Sequence, residues 1–161
     1  MDATSEPGSC QYLTFFVGAE EYAITILRIK EILEFSGATR VPGTPPSVLG
    51  VINLRGRVVP VIDLSLKFGA PRSAVTPRSC VVLVELAVEG DNLIIGLLAD
   101  AVREVVELPA DAIEPPPAFG TRARTEFLLG VGRYSERFVL VLDIDRLLTQ
   151  AEIEEPLTAT A

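Results

Sequence analysis

Apolar positions in this chain fall into short runs rich in Val, Ile and Leu, separated by Gly, Pro and charged residues. Runs of that kind bounded by turn residues read as strands. The pattern predicts strands at 11–17 and 22–24, joined by a turn at Gly18-Ala19-Glu20-Glu21. Further strands are expected at 79–88, 93–99 and 102–108. The stretch 26–34 reads both ways: Ile26, Ile29 and Leu33 have helical spacing, while Arg28, Lys30, Glu31 and Glu34 form a charged face. It predicts a helical turn running into a strand near Ile32.

The segment 45–64, PPSVLGVINLRGRVVPVIDL, organises the rest. Two β-branched runs, 47–54 and 57–64, flank Arg55-Gly56, and Gly supplies the positive φ that a tight reversal needs. Pro60 cannot donate to a ladder, which predicts an edge strand or a bulge there. Asp63 precedes a short run ended by Gly69 and is placed to cap a helix of one or two turns. A second hairpin is expected from 127–131 and 138–144 with a turn at 134–136, followed by a helix over 146–151 capped by Asp145.

The two hairpins match. Leu49, Gly50, Val51, Arg57, Val59, Val61 and Asp63 recur as Leu129, Gly130, Val131, Arg137, Val139, Val141 and Asp143, always eighty residues on. A second register, seventy-three residues long, aligns 22–35 with 95–108 and sets Lys30 on Arg103, Glu31 on Glu104 and Glu34 on Glu107. Two copies of one small β unit are implied, with a period too long for a solenoid. Many short strands in duplicate predict a mainly β protein of two small barrels, closed so that sheet edges are hidden. The organisation expected is a disordered leader over 1–10, a first barrel over 11–70 and a crossover over 71–78. A second barrel over 79–144 and a C-terminal helix and tail over 145–161, packing back on the first barrel, complete it. The prolines of 109–124 suggest a stiff surface connection.

Composition narrows the function. Lys and Arg number 14 against 22 Asp and Glu, a net charge of −8, which opposes binding to nucleic acid or to anionic lipid. No apolar run is long enough to cross a bilayer, and the acidic start lacks the character of a signal peptide, which fits a cytosolic protein. With no histidine, Ser-His-Asp and Cys-His catalysis, His-ligated metals and phosphohistidine transfer are all excluded. Cys10 and Cys80, far apart, make no zinc motif. No phosphate-binding glycine loop is present, and Gly130-Val131-Gly132 reads as a bulge or a close backbone approach. Asp63 and Asp143 are a conceivable acid pair for hydrolysis. Their repeated place between a strand and a short helix favours capping instead. Arg55 stands at the tightest part of the hairpin, where a solvated turn residue and a binding anchor are both open readings. A pair between Arg55 and Glu31 is expected.

Four segments carry a resemblance: YLTFFVGAEEYAITILRIKEIL, TPPSVLGVINLRGRVVPVIDLSLKFG, IIGLLADAVREVVEL and FLLGVGRYSERFVLVLDIDRLL. In order, and across 11–148, they resemble the CheW-like family of bacterial chemotaxis coupling proteins. The resemblance implies two intertwined SH3-like five-stranded β-barrels with short helices, no catalysis, no metal and no cofactor. It implies an adaptor that joins the signalling tip of methyl-accepting receptors to the regulatory domain of the chemotaxis histidine kinase, cytoplasmic and recruited to membrane receptor arrays without inserting. By motif, the binding residues it implies are Ile29, Glu31, Asn53, Arg55 and Gly56, with Val88, Gly96 and Val105 in the second barrel. Gly50, Asp63, Gly130 and Asp143 fall at positions expected to be structural. Use in a non-flagellar pathway, for surface motility or development, is an alternative within the same fold, and a small carboxylate-dependent enzyme is the remaining one.

Overall fold

The structure, a computed structural model, describes residues 9–88, 90–115, 125–148 and 152–153. Strands β1 (Ser9–Val17) and β2 (Glu20–Thr25) are followed by a 3-10 turn, Ile26–Arg28, and β3 (Ile29–Glu34). The first hairpin is β4 (Val48–Leu54) and β5 (Arg57–Asp63), leading into α1 (Leu64–Lys67). Then come β6 (Cys80–Val88), β7 (Asp91–Ala99), β8 (Ala101–Pro109) and the two-residue β9 (Ile113–Glu114). The second hairpin is β10 (Leu128–Tyr134) and β11 (Arg137–Leu142), ending in α2 (Ile144–Leu147). Ser9 and Cys10, expected in the leader, are the first residues of β1. The proline-containing connection contributes β9, and 116–124 lies outside the described residues.

The strands form two sheets, one ordered β8-β1-β2-β11-β10-β9 and the other β3-β6-β7-β5-β4. Neither coincides with the spans 11–70 or 79–144. Both sequence registers locate equivalent strands: β2 with β7, β3 with β8, β4 with β10, and β5 with β11. Yet β1 and β2 sit with β8, β10 and β11, while β6 and β7 sit with β3, β4 and β5. The copies have exchanged their first two strands, and each sheet is completed by the other copy. Each exchanged pair is joined on one side by an antiparallel pairing, β1 with β8 and β6 with β3, and on the other by a parallel one, Val141↔Ala23 and Val61↔Gly96, and these joints correspond across the repeat. Parallel neighbours require a crossover, so the exchange is a property of the tertiary path and not of any local run.

Irregularities repeat as well. In β4 the register shifts between Val48 and Gly50, and in β10 between Leu128 and Gly130. In β3 it shifts at Lys30, and the β1–β8 pairing shifts at Arg103. Each bulge turns the strand so that residues on its two sides face different cores. Pro60 lies in the interior strand β5, not at an edge. It is accommodated because the ladder to β7 begins only at Val61, where a donor is again available.

Three apolar clusters result. The largest lies between the sheets and contains an aromatic series, Phe15, Tyr22, Phe68 and Phe127, with successive ring centroids 6.2, 5.1 and 6.0 Å apart. Each sheet also curls around a small core of its own. That of the first sheet includes Val139 and Val141, and that of the second includes the equivalent Val59 and Val61. Residues such as these, fully removed from water, contribute about 1.5–3 kcal/mol each. The second sheet's core is the more open, with Leu33, Phe35, Leu49, Ile52 and Leu54 only partly buried around it.

Asp63 caps α1 as expected, accepting from the Ser65 N–H at 3.0 Å. At its register position Asp143 caps α2, accepting from the Asp145 N–H at 3.1 Å. The expected cap at Asp145 is therefore displaced by two residues. Asp145 lies inside the first turn, where its carboxylate is free to reach elsewhere. In the C-terminal segment Ile153 joins the core between the sheets. Glu152 is buried against the first hairpin's end, paired with Lys67 and accepting from Ser47 Oγ.

Candidate functional site

The turn between β4 and β5 uses only Arg55 and Gly56, with Leu54 facing Arg57 across it. Both turn residues take positive φ, +50° and +86°. That pattern matches the right-handed twist of a hairpin, and it is costly for a residue with a Cβ. Asn53 Oδ1 accepts from the Gly56 N–H at 2.8 Å and pins the turn. The side chain of Arg55 is thereby directed at edge strand β3, where Nη2 lies 2.6 Å from Glu31 Oε1 and Nη1 3.5 Å from Oε2. The expected pair exists. The Arg55 side chain is 69 % exposed and that of Glu31 34 %. Glu31, on the far side of the Lys30 bulge from Ile29, stands on the same face as Leu33, at the rim of the second sheet's open core.

The other implied binding residues do not all join this cluster. Ile29 packs against the core between the sheets. Val88, at the end of β6, packs there too. Val105 is 52 % exposed on β8, the edge of the other sheet. Gly96 is buried in mid-β7, where a Cβ would come 2.6 Å from Val81 Cγ1, so its place is a packing one. The positions expected to be structural behave alike in both copies. A Cβ on Gly50 would fall 2.4 Å from the Thr39 carbonyl oxygen, and one on Gly130 2.4 Å from that of Glu114. In each case the close approach covers the free edge of the hairpin. Asp63 is fully buried and also accepts from Ser73 N–H and Oγ, at 3.1 and 2.9 Å. Its oxygens are engaged structurally. Asp63 and Asp143 serve separate caps and share no hydrogen-bond partner.

A groove of about 610 Å³ lies between the ends of the two edge strands, lined by Ile32 and Glu34 from β3, Val102 and Arg103 from β8, Phe16 and Arg78. The family resemblance implies that receptor tips dock near a groove between the two subdomains, but it singles out none of these lining residues, because the walls come from distant parts of the chain. The one readable sign was Ile32, an apolar residue now 43 % exposed on a charged strand. Arg103 sits over the Phe16 ring at 5.6 Å, which presents a cation on an apolar wall. On the opposite side, Arg28 donates to the Glu85 carbonyl at 3.0 Å and pairs with both oxygens of Asp145 at 2.8 and 3.2 Å. The Arg28 guanidinium holds the Asp145 carboxyl below its ordinary range. Among the described residues no group of three acidic or thiol side chains is placed to hold a metal, and no helix is long and apolar enough to cross a membrane.

The family model described as the CheW-like domain matches residues 11–152. The chain belongs to the CheW-like family. It is 36 % identical over 143 residues to the chemotaxis protein CheW of Klebsiella aerogenes, covering 89 % of this chain and 84 % of that one. To the CheW of Helicobacter pylori it is 37 % identical over 138 residues, with 86 % and 81 % covered. The solved scaffolding protein TtCheW of Thermoanaerobacter tengcongensis superposes with a TM-score of 0.74 at 31 % identity, over 83 % of this chain and 88 % of that one. Membership in the CheW family carries a scaffold, or adaptor, role in chemotaxis signalling. The mainly β, two-sheet fold of this chain superposes on that solved scaffolding protein over most of both chains.

Proposed function

We propose that this CheW-family chain bridges the signalling tips of methyl-accepting chemotaxis receptors to the regulatory domain of the chemotaxis histidine kinase, without catalysing a reaction. It acts in the cytoplasm, held at membrane receptor arrays by its partners. The receptor tip enters at the groove between β3 and β8, with Arg55 and Glu31 at its margin and Ile32 and Val105 supplying apolar contact. The observation that carries this reading is the exposed Arg55–Glu31 pair, set on an open core rim by a strained turn. Arginine in such a position is a frequent binding anchor, and backbone strain gathers at functional sites. Two sheets of equivalent build give a protein that joins partners two unlike surfaces. Heterologous contacts of that kind extend into arrays, where multivalency lets individually weak contacts suffice.

Calorimetry tests it directly. Wild type is expected to bind both a soluble receptor-tip fragment and the kinase regulatory domain, and Arg55→Ala to lose mainly the receptor, by about tenfold or more. Failure of wild type to bind either partner would sink the bridging role.

A further inference from the structure

We infer that Asn53 is a positioning residue: it does not itself engage the partner but holds Arg55 in the conformation that does. The inference rests on the reading that Arg55 meets the receptor. Tight hairpin turns of this kind favour Asn, Asp or Gly where the first positive φ falls, and here that place is held by Arg55 at +50°. A side chain of that size gains nothing locally from left-handed backbone, so the turn must be held by its surroundings. Asn53 supplies the hold. Its Oδ1 takes the Gly56 N–H at 2.8 Å, closing the turn from the residue two before Arg55. The guanidinium is then aimed across to Glu31, twenty-four residues away in sequence.

The second copy offers a comparison. Its turn also takes positive φ at its first residue, Ser135 at +54°, but Glu136, in the place of Gly56, does not have positive φ, so the two turns differ at their second residue. Arg133 stands where Asn53 does, and a guanidinium has no acceptor for a turn N–H. Ser135 has no long side chain to aim. The Asn53 acceptor goes with the turn that carries both Arg55 and Gly56 at positive φ, and so with the conformation that aims Arg55.

The experiment is a double-mutant cycle on receptor-tip binding, with a readout on the free protein beside it. Asn53→Ala is expected to weaken binding about tenfold in wild type and to add no further loss in an Arg55→Ala background. In the unbound protein, 15N NMR should show slow rotation of the Arg55 guanidinium in wild type and in Asn53→Asp, which keeps the acceptor, and free rotation in Asn53→Ala. Additive losses in the cycle would make Asn53 an independent contact and overturn the inference. A guanidinium that stays ordered in Asn53→Ala would do the same. If wild type does not bind the receptor fragment at all, the bridging role fails, and the NMR comparison alone decides whether Asn53 positions Arg55.

Discussion

The first hairpin, β4–β5, and the second, β10–β11, have the same register, the same bulge and the same capped helix after them. They differ in where an arginine meets an acid. In the first, Arg55 leaves the turn and pairs with Glu31 in the open. In the second, Arg137 comes from the strand and pairs with Glu104 and with Glu21, whose side chain is 6 % exposed. It lies over the Tyr134 ring at 4.9 Å, so this arginine is part of the wall. Arg57, its counterpart in the first copy, is exposed. Positions alike in both copies hold the fold; unlike positions carry either the site or the ties between the exchanged halves.

Those ties give the largest expected effect. Lys67, at the end of α1, corresponds to the fully buried Leu147 at the end of α2. Lys67 and Glu152 are 7 % and 3 % exposed, so Glu152→Ala leaves a buried ammonium without its carboxylate. A loss of about 3–5 kcal/mol is expected by urea unfolding, whereas Lys67→Leu with Glu152→Leu, which makes the first copy resemble the second, should be near neutral or stabilising. Equal losses in the single and double variants would show that the pair's charge is not what matters there.

The two arginines should separate next. Removing Arg137 with Met leaves the buried Glu21 carboxylate with only the longer, 3.4 Å pair to Arg103 and should cost about 1–3 kcal/mol. Arg55→Met should change stability by no more than about 0.5 kcal/mol, because its pair is solvated. The contrast is lost if both unfold at the same urea concentration.

The smallest effect concerns pH. Ser65 of the first copy donates to the Pro71 carbonyl, while its counterpart Asp145 pairs with Arg28 across the molecule. Because that pairing lowers the Asp145 pKa, its stabilisation is complete above the ordinary carboxylate range and is lost as pH falls through the depressed value. Melting temperature should therefore drop more steeply below about pH 4 in wild type than in Arg28→Met. Parallel curves would mean the pair does not form in solution.

Most of the fold was legible because its signals are local. Short apolar runs between turn residues marked the strands, Arg55-Gly56 marked the reversal, and Asp63 marked a helix start. The α2 cap reads at both Asp143 and Asp145, because two aspartates flank Ile144 and both can accept from a first turn, and the structure gives it to Asp143. Of the implied site, Glu31, Asn53, Arg55 and Gly56 come together, since one hairpin and one edge strand place them. Gly96 is implied as a binding position by motif alone, and only packing shows that Val81 fills the space beside it.

The amino-acid sequence by itself determined the strands, the duplicated unit, the repeated caps and the absence of histidine chemistry. These depend on side-chain periodicity and on residues a few positions apart. Only the tertiary structure decided that the copies exchange their first two strands, and so where the groove lies and which acid each arginine meets. The reason is physical: β1 and β6, and likewise β2 and β7, carry interchangeable apolar patterns. The choice between pairing within a copy and pairing across copies is settled by the path of the whole chain and the core between the sheets.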